Sequence, residues 1–307
     1  MNPRRLLFEI ASLLPARVRA TLQPMRAPVL GWLDRRRTRA AVQSGPPYRP
    51  SHDRIVIDLT CACDLGCLDC NRSCAGRQAP AQDHFTLAQL QHFLSESLAQ
   101  QRRWLVIQLE GGEPTLHPQF HEIVLCLDAY RRQHSPATVV KVISNGYSEA
   151  CRTAVAALPR GVEVFVTAKR APQQASHCAF NLAPVDQPEF AGTDFSQGCY
   201  LPAREGLGLT PYGCYPHPVC GGIDRVFGFD IGRRSLPRTG DDLREQFPRL
   251  CCLCGLFRFF ARLDRQHPDI MPDAREAALR GTMSPSWVRA YARYREKRPK
   301  LTRYGDG

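Results

Sequence analysis

Apolar residues along this chain fall into two alternating patterns, short continuous runs and longer stretches with helical spacing. The short runs are rich in Val, Ile and Leu, which is typical of buried strands, and they lie at 54–60, 104–109, 138–144 and 162–167. Between the runs, apolar residues recur every three or four positions, which predicts helices. Strands that alternate with helices form βαβ units. The pattern therefore predicts a parallel sheet curled into a partial barrel.

Three helices are predicted between these strands. The first begins after Thr86, because Gln89 stands three residues on and completes a capping box. The second carries an apolar face over residues 120–127, and the third starts at Ser148. After Arg170 the alternation stops, so a six-unit barrel does not fit before Cys199. A truncated barrel of four or five strands is therefore predicted.

The chain divides into four predicted segments. The central one is the α/β unit, a truncated parallel β/α barrel, followed by a small cysteine-rich domain that contains a hairpin around Gly208–Gly213. The segments are a basic helical N-terminal extension at 1–50, the partial barrel at 51–195, the cysteine-rich domain at 196–262 and a basic helical tail at 263–307.

The net charge of +12 over 307 residues is concentrated near the N-terminus. Residues 1–50 hold ten Arg against Glu9 and Asp34. We interpret the charge as a solvated basic extension, and we do not expect nucleic acid as a partner. Weak contact with an anionic membrane surface stays open. No apolar run is long enough to span a bilayer and no signal peptide is visible, so a cytoplasmic location is predicted.

Cysteine is the most informative residue type in this sequence. There are fourteen, and five lie between 61 and 74, a clustering that favours a metal protein in a reducing compartment. Cys63, Cys67 and Cys70 have the spacing C-x3-C-x2-C directly after the first predicted strand. Three thiolates can hold three irons of a [4Fe–4S] cluster and leave the fourth iron open. Zinc is the alternative, since Cys61 or Cys74 could complete a four-thiol site.

Two further motifs each follow a predicted strand. The run Leu109–Pro114 reads LEGGEP, and the run Val142–Gly146 reads VISNG. Together with the cysteine spacing, they resemble the motifs of the radical S-adenosylmethionine (radical SAM) enzymes over residues 53–170. The resemblance implies SAM-binding roles for Gly111, Gly112, Glu113, Ser144, Asn145 and Arg170. One position departs from the family pattern: Asp69 stands where an aromatic residue usually packs against adenine.

The family resemblance also implies a reaction. The reduced cluster of such enzymes cleaves SAM to a 5′-deoxyadenosyl radical, which abstracts a hydrogen atom from the substrate. A reductant such as flavodoxin or ferredoxin is then an expected partner. An electron carrier without SAM chemistry would not need the GGEP and SNG runs, so a two-cluster electron-transfer protein is the weaker alternative.

A second set of cysteines resembles the SPASM/twitch auxiliary-cluster domain of some radical SAM enzymes. Its spacing is C-x14-C followed by C-x2-C, which implies a second [4Fe–4S] cluster, with zinc as the alternative. The implied ligands are Cys199, Cys214, Cys251 and Cys254. Cys220 and Cys252 could exchange roles with their neighbours. Cys178 and Cys220 are candidate hydrogen-atom donors, and His217, Asp224 and Arg225 are candidate substrate contacts.

The architecture resembles the twitch-bearing dehydrogenases that oxidise an alcohol to a ketone. It therefore implies a radical SAM oxidoreductase acting on a small molecule, with the auxiliary cluster accepting an electron. Peptide-modifying radical SAM enzymes (RiPP maturases) are the runner-up. A zinc-stabilised RNA-binding protein that uses the basic N-terminal segment is the alternative of another class.

Overall fold

A computed structural model describes residues 47–74, 79–173, 178–261, 279 and 281–306. The predicted basic extension at 1–50 therefore lies almost entirely outside the described residues, as does the first part of the predicted tail. The described residues form an α/β fold around one six-stranded sheet in the order β4-β3-β2-β1-β5-β6. The strands are β1 (Arg54–Thr60), β2 (Val106–Gly111), β3 (Val139–Ser144), β4 (Val162–Val166), β5 (Leu207–Thr210) and β6 (Gly213–Tyr215).

The sheet is parallel except at one edge. β1 is central and pairs in parallel with both β2 and β5, while β6 returns antiparallel to β5. The four strands predicted in 54–167 are confirmed with boundaries shifted by one or two residues. Because β1 to β4 run in the same direction, the loops that follow β1, β2 and β3 meet at one edge of the sheet. This edge carries the three predicted motifs.

Eight α-helices surround the sheet in the described part of the chain. The capping box of the first is confirmed, with Thr86 Oγ1 accepting from the Gln89 amide and Gln89 Oε1 accepting from the Thr86 amide. Ser148 caps the third helix, as predicted. The helices are α1 (Leu87–Ala99), α2 (Phe120–His134), α3 (Glu149–Ala156), α4 (Tyr200–Glu205), α5 (Cys220–Phe227), α6 (Phe247–Cys251), α7 (Gly255–Phe260) and α8 (Pro285–Glu296).

Two apolar cores flank the sheet. The first packs the sheet residues against α1 and α2 and includes the fully buried Phe93 and Trp104. The second lies among α4 to α8 and includes Phe257 and Trp287, whose indole N–H donates to the Leu253 carbonyl at 2.9 Å. The division matters because the cysteines of the second predicted set are distributed between these two cores.

The hairpin predicted within the cysteine-rich domain forms as β5 and β6, but it is part of the barrel sheet. Its first strand pairs with β1 through Leu207, Gly208 and Leu209. Segments 51–195 and 196–262 therefore share one sheet. At the opposite edge, β4 leaves Phe165 54% exposed, so that side of the partial barrel is open to solvent. No helix in the described part of the chain is long and apolar enough to cross a membrane.

Candidate functional site

The first thiol group lies on the loop that follows β1. Cys63, Cys67 and Cys70 belong to one small apolar cluster with Leu65 and Tyr147. The amide of Gly66 within the loop donates to the Pro172 carbonyl at 2.8 Å, so a residue beyond β4 also holds the loop. The three cysteines predicted to bind the cluster are thus brought together at the carboxyl end of the sheet.

Two further thiols lie in the same cluster, Cys61 and the buried Cys74. The Cys74 thiol hydrogen-bonds with Cys70 and Cys61, and the bond to Cys70 lowers the pKa of Cys70 to about 6. Burial has the opposite effect on Cys63 and raises its pKa to about 12. The sequence interpretation left Cys61 and Cys74 outside the cluster ligands, and the structure places both beside them.

The GGEP run packs directly on the first thiol loop. The amide of Gly112 donates to the Thr60 carbonyl at 2.7 Å, and that of Glu113 to the Ala62 carbonyl at 2.8 Å. A Cβ on Gly112 would lie 2.2 Å from the Ala62 oxygen. Gly111 has a φ of 132°, and a Cβ there would lie 2.4 Å from the Thr60 oxygen. Glycine is therefore required at both positions for this close approach of the two backbones.

The carboxylate of Glu113 joins the GGEP run to the SNG run. Its Oε1 accepts hydrogen bonds from the hydroxyls of Ser144 at 2.9 Å and Thr115 at 2.7 Å, and its Oε2 accepts one from the Asn145 amide at 2.7 Å. The side chain is fully buried, and desolvation raises its pKa. Both oxygens are engaged by the protein, so Glu113 orients the two loops. A contact of this carboxylate with the SAM amino group stays a prediction.

Asn145 closes the network back onto the thiol loop. Its side-chain Nδ2 donates to Asp64 Oδ1 at 2.7 Å and lies 3.9 Å from the Cys63 sulfur. Hydrogen bonds from Asn145, Ser148 and Cys151 outweigh desolvation and lower the pKa of Asp64. The loops that follow β1, β2 and β3 thus form one connected polar network.

Asp69, the position that departs from the family pattern, has a structural role. It is 3% exposed and has a φ of 56°, a left-handed conformation that Asp tolerates better than most residues. Its Oδ2 accepts from the Gly281 amide at 2.6 Å, and its Oδ1 accepts from the Asn181 amide at 3.5 Å. The residue thus ties the thiol loop to two distant segments.

Two other predicted residues differ in their exposure. Arg170 is exposed just beyond the end of β4, on the side of the sheet where a contact with SAM was predicted. Cys178 is 2% exposed. Their roles as carboxylate partner and hydrogen-atom donor stay predictions.

The second thiol group lies in the second apolar core. Cys199 immediately precedes α4, Cys220 begins α5, Cys251 ends α6 and Cys254 immediately precedes α7. Burial raises the pKa of Cys220, and the neighbouring sulfurs of Cys254 and Cys199 raise it further. The pKa of Cys251 is raised by burial and then by Cys199, Cys220 and Cys254. All four thiols therefore lie close enough to interact.

Two cysteines considered for this set are placed differently. Cys214 lies in the first apolar core, fully buried, and after burial the charges that act on its pKa come from Glu96, Arg102 and Arg233. Cys252 is half-buried at the edge of the second core, close enough to raise the pKa of Cys251 and Cys254, and its thiol donates to the Arg249 carbonyl at 3.4 Å. The predicted grouping of Cys214 with the other three ligands does not occur in this structure.

His217, Asp224 and Arg225 are all buried and all engaged by protein groups. His217 Nε2 is 2.9 Å from Glu205 Oε2, and Asp224 Oδ2 accepts from the Tyr215 hydroxyl at 2.7 Å. Arg225 donates to the carbonyl oxygens of Arg72 at 3.0 Å and Ser73 at 2.9 Å. These contacts give all three residues structural roles. Arg225 in particular joins α5 to the first thiol loop.

Arg72, on the first thiol loop, was missed by the sequence interpretation. It is buried and bonds to Asp58 at 3.1 Å and to Glu110. Two carboxylates thus share one guanidinium, and burial raises the pKa of Asp58 to about 6 in spite of Arg72. The only signal for these ion pairs in the sequence was the presence of an arginine, Arg72, within a cysteine-rich loop.

No group of three or more His, Cys, Asp or Glu side chains within the described ranges is arranged to hold a metal ion. An iron–sulfur cluster requires a different spacing of its ligands from that of a single metal ion. In a [4Fe–4S] cubane each thiolate binds its own iron, whereas the ligands of zinc converge on one ion at about 2.3 Å. Three thiols on one loop and four in one core fit the ligand types of two such clusters.

The comparisons with known proteins are sparse. No protein-family model matches the sequence, and no curated protein does. Among solved structures, the chain is similar to BtrN in complex with AdoMet and 2-DOIA, with 14% sequence identity and a TM-score of 0.31. The match covers 41% of this chain and half of the length of BtrN. A likeness at this level carries no argument about function, which must come from the site itself.

Proposed function

We propose that this chain is a radical SAM enzyme, in which Cys63, Cys67 and Cys70 hold a [4Fe–4S] cluster. The observation that carries the proposal is the hydrogen-bond network that joins the loops after β1, β2 and β3 through Glu113 and Asn145. When bound, the cluster and SAM supply the difficult chemistry, reductive cleavage to a 5′-deoxyadenosyl radical that takes a hydrogen atom from the substrate.

The residues of this chain orient the bound groups. Gly111 and Gly112 let the GGEP backbone lie against the thiol loop, so we assign the contact with the SAM amino group to this backbone. Glu113 fixes the SNG loop, and Asn145 directs an N–H group towards the Cys63 sulfur. Leu65 and Tyr147 pack against the thiols.

We further propose that the reaction is an oxidation of a small molecule, with a second cluster as electron acceptor. Support for a second cluster linked to the first comes from α5, which carries Cys220 of the second thiol group and Arg225, a residue that binds the first thiol loop. A single helix therefore connects the two groups. Modification of a peptide is the competing reaction, and product analysis with candidate substrates distinguishes them.

The test is SAM cleavage by protein reconstituted with iron and sulfide without oxygen. After reduction with dithionite and addition of SAM, the wild type should form 5′-deoxyadenosine, measured by liquid chromatography. The Cys63→Ala variant should give none above background. Cys126→Ala is the matched control, because Cys126 lies on α2 against the first apolar core and should leave the activity unchanged.

Two outcomes would contradict the proposal. The first is a wild-type protein that holds its iron but forms no 5′-deoxyadenosine, as a two-cluster electron carrier would. The second is Cys63→Ala protein that still cleaves SAM. Zinc in place of iron after reconstitution would instead favour the zinc-stabilised alternative.

A further inference from the structure

The ligands of the second predicted cluster can be assigned from the faces of the sheet to which successive side chains of β6 point. Successive side chains of a strand point to opposite faces of the sheet. In β6, Cys214 pairs with Leu209 of β5, and both belong to the first apolar core. The next residue, Tyr215, belongs to the second core, where Cys199, Cys251 and Cys254 lie. Cys214 therefore points away from the three thiols that its sequence spacing groups it with.

The position of Cys214 is also fixed from outside the strand. Its amide donates to the Arg233 carbonyl at 2.8 Å and its carbonyl accepts from the Arg233 amide at 3.0 Å. This bridge covers β6 on its free side. For Cys214 to point into the second core, β6 would have to shift by one residue along β5. The same shift would turn the Tyr215 side chain into the first core.

Cys220 occupies the side of the sheet that Cys214 does not reach. It is 4% exposed, and its amide donates to the His217 carbonyl at 3.1 Å as α5 begins. Gly221 and Gly222 follow, and a Cβ at these positions would lie 2.3 Å from Thr210 Cγ2 and 2.9 Å from the Arg72 oxygen. The two glycines let the start of α5 lie close to β5 and to the first thiol loop, which fixes the Cys220 sulfur in the second core.

The other three thiols are held by their own elements. Cys199 is the N-terminal cap residue of α4, and Cys254 is the N-terminal cap residue of α7. Gly255 follows Cys254, and a Cβ there would lie 2.4 Å from the carbonyl oxygens of Ala179 and Phe180. Cys254 is thereby held against the core, in the same turn as Cys251.

We propose that Cys199, Cys220, Cys251 and Cys254 together ligate the second [4Fe–4S] cluster, with Cys220 in the place that the sequence spacing gives to Cys214. This assignment rests on the proposed function for its choice of iron over zinc. Four thiols lose four protons and bind four irons, so this cluster has no open iron. Cys220 is then a ligand, and its role as a hydrogen-atom donor is withdrawn.

The test uses a background without the first cluster, a chain in which Cys63, Cys67 and Cys70 are all replaced by Ala. After anaerobic reconstitution, iron and sulfide are counted and the absorption and EPR spectra of the reduced protein are recorded. We expect about four irons per chain in this background. Adding Cys220→Ala should remove at least one iron and change the EPR signal, whereas adding Cys214→Ala should change neither.

Folding is controlled in the same samples. Far-ultraviolet circular dichroism and gel filtration of each variant show whether iron is lost from a folded protein. Cys220→Ser serves as a second variant, because a serine oxygen can replace the thiolate, so the iron should be retained with a shifted EPR signal. Cys252→Ala should behave as the background does, since the Cys252 thiol bonds to a carbonyl outside the group.

The outcomes separate this assignment from the proposed function. Loss of iron on Cys214→Ala with full iron on Cys220→Ala would overturn it, as would a background chain with no iron or with zinc alone. SAM cleavage by the wild type is independent of these counts. A wild type that cleaves no SAM, together with a background chain whose iron depends on Cys220, would overturn the proposed function and leave the ligand assignment standing.

Discussion

Replacing Asp69 should destabilise the protein although this residue takes no part in the proposed chemistry. The buried carboxylate accepts a 2.6 Å hydrogen bond from the Gly281 amide and a 3.5 Å one from the Asn181 amide. It also holds a φ of 56°, which few side chains adopt without strain. Each substitution removes a different part of this arrangement, so a series of variants separates the contributions.

The magnitudes follow from these two features. A hydrogen bond to a charged acceptor contributes about 1.5–3 kcal/mol, and the bond to Gly281 should contribute most of this because the other bond is long. A side chain without a local hydrogen bond in the left-handed region costs about 1 kcal/mol. We expect losses of about 3 kcal/mol for Asp69→Ala, about 2 for Asp69→Gly and about 1 for Asp69→Asn.

The free energy of unfolding is measured by urea titration of the reduced, metal-free protein, with the fluorescence of the buried Trp104 and Trp287 as the signal. Asp306→Ala, at an exposed position near the C-terminus, is the matched control and should change the stability by less than about 0.5 kcal/mol. The reasoning fails if Asp69→Ala is as stable as this control, or if Asp69→Gly is less stable than Asp69→Ala.

Three further predictions concern the surroundings of the first thiol group. Gly112→Ala places a Cβ 2.2 Å from a carbonyl oxygen and should cost about 3 kcal/mol in urea titration, whereas Gly66→Ala, whose Cβ would have its nearest neighbour at 3.9 Å, should cost less than about 0.5. The pKa of Asp58 is raised to about 6, so its protonated form stabilises the fold fully below pH 4, and this stabilisation is lost progressively as the pH rises from 4 through 6. Asp58→Asn should therefore flatten the dependence of unfolding free energy on pH between 4 and 7, by up to about 3 kcal/mol, and an unchanged slope would contradict the assignment. Arg225→Met removes two hydrogen bonds to buried carbonyls and should cost about 2–4 kcal/mol, and a wild-type midpoint in urea would show that this contact is weak.

The elements that could be predicted from the sequence depend on neighbouring residues. The strands and the capping box at Thr86 are encoded within short windows, and the structure confirms them. The role of Asp69 could not be predicted in this way. Its partners lie 112 and 212 residues along the chain, and nothing in the local sequence indicates them.

Cys214 shows the same limit for the candidate site. Spacing groups it with Cys199, Cys251 and Cys254, but spacing does not determine the face to which a strand residue points. That face is set by the pairing of β5 with β1, a contact between residues about 150 apart in sequence, and by the register of β6 on β5. A pattern of cysteines can therefore group thiols that the fold places in different cores.

Helix α5 connects the two thiol groups more directly than the sheet does. It begins with Cys220 in the second core, and one turn later Arg225 donates to two carbonyl oxygens of the first loop. The same loop carries Cys70 and Cys74, so a displacement of α5 would change the positions of thiols in both groups. Metal binding and folding are coupled where the ligands come from separate elements. Filling either thiol group should therefore restrict the other, and the two sites are best regarded as one structural unit whose order depends on this helix.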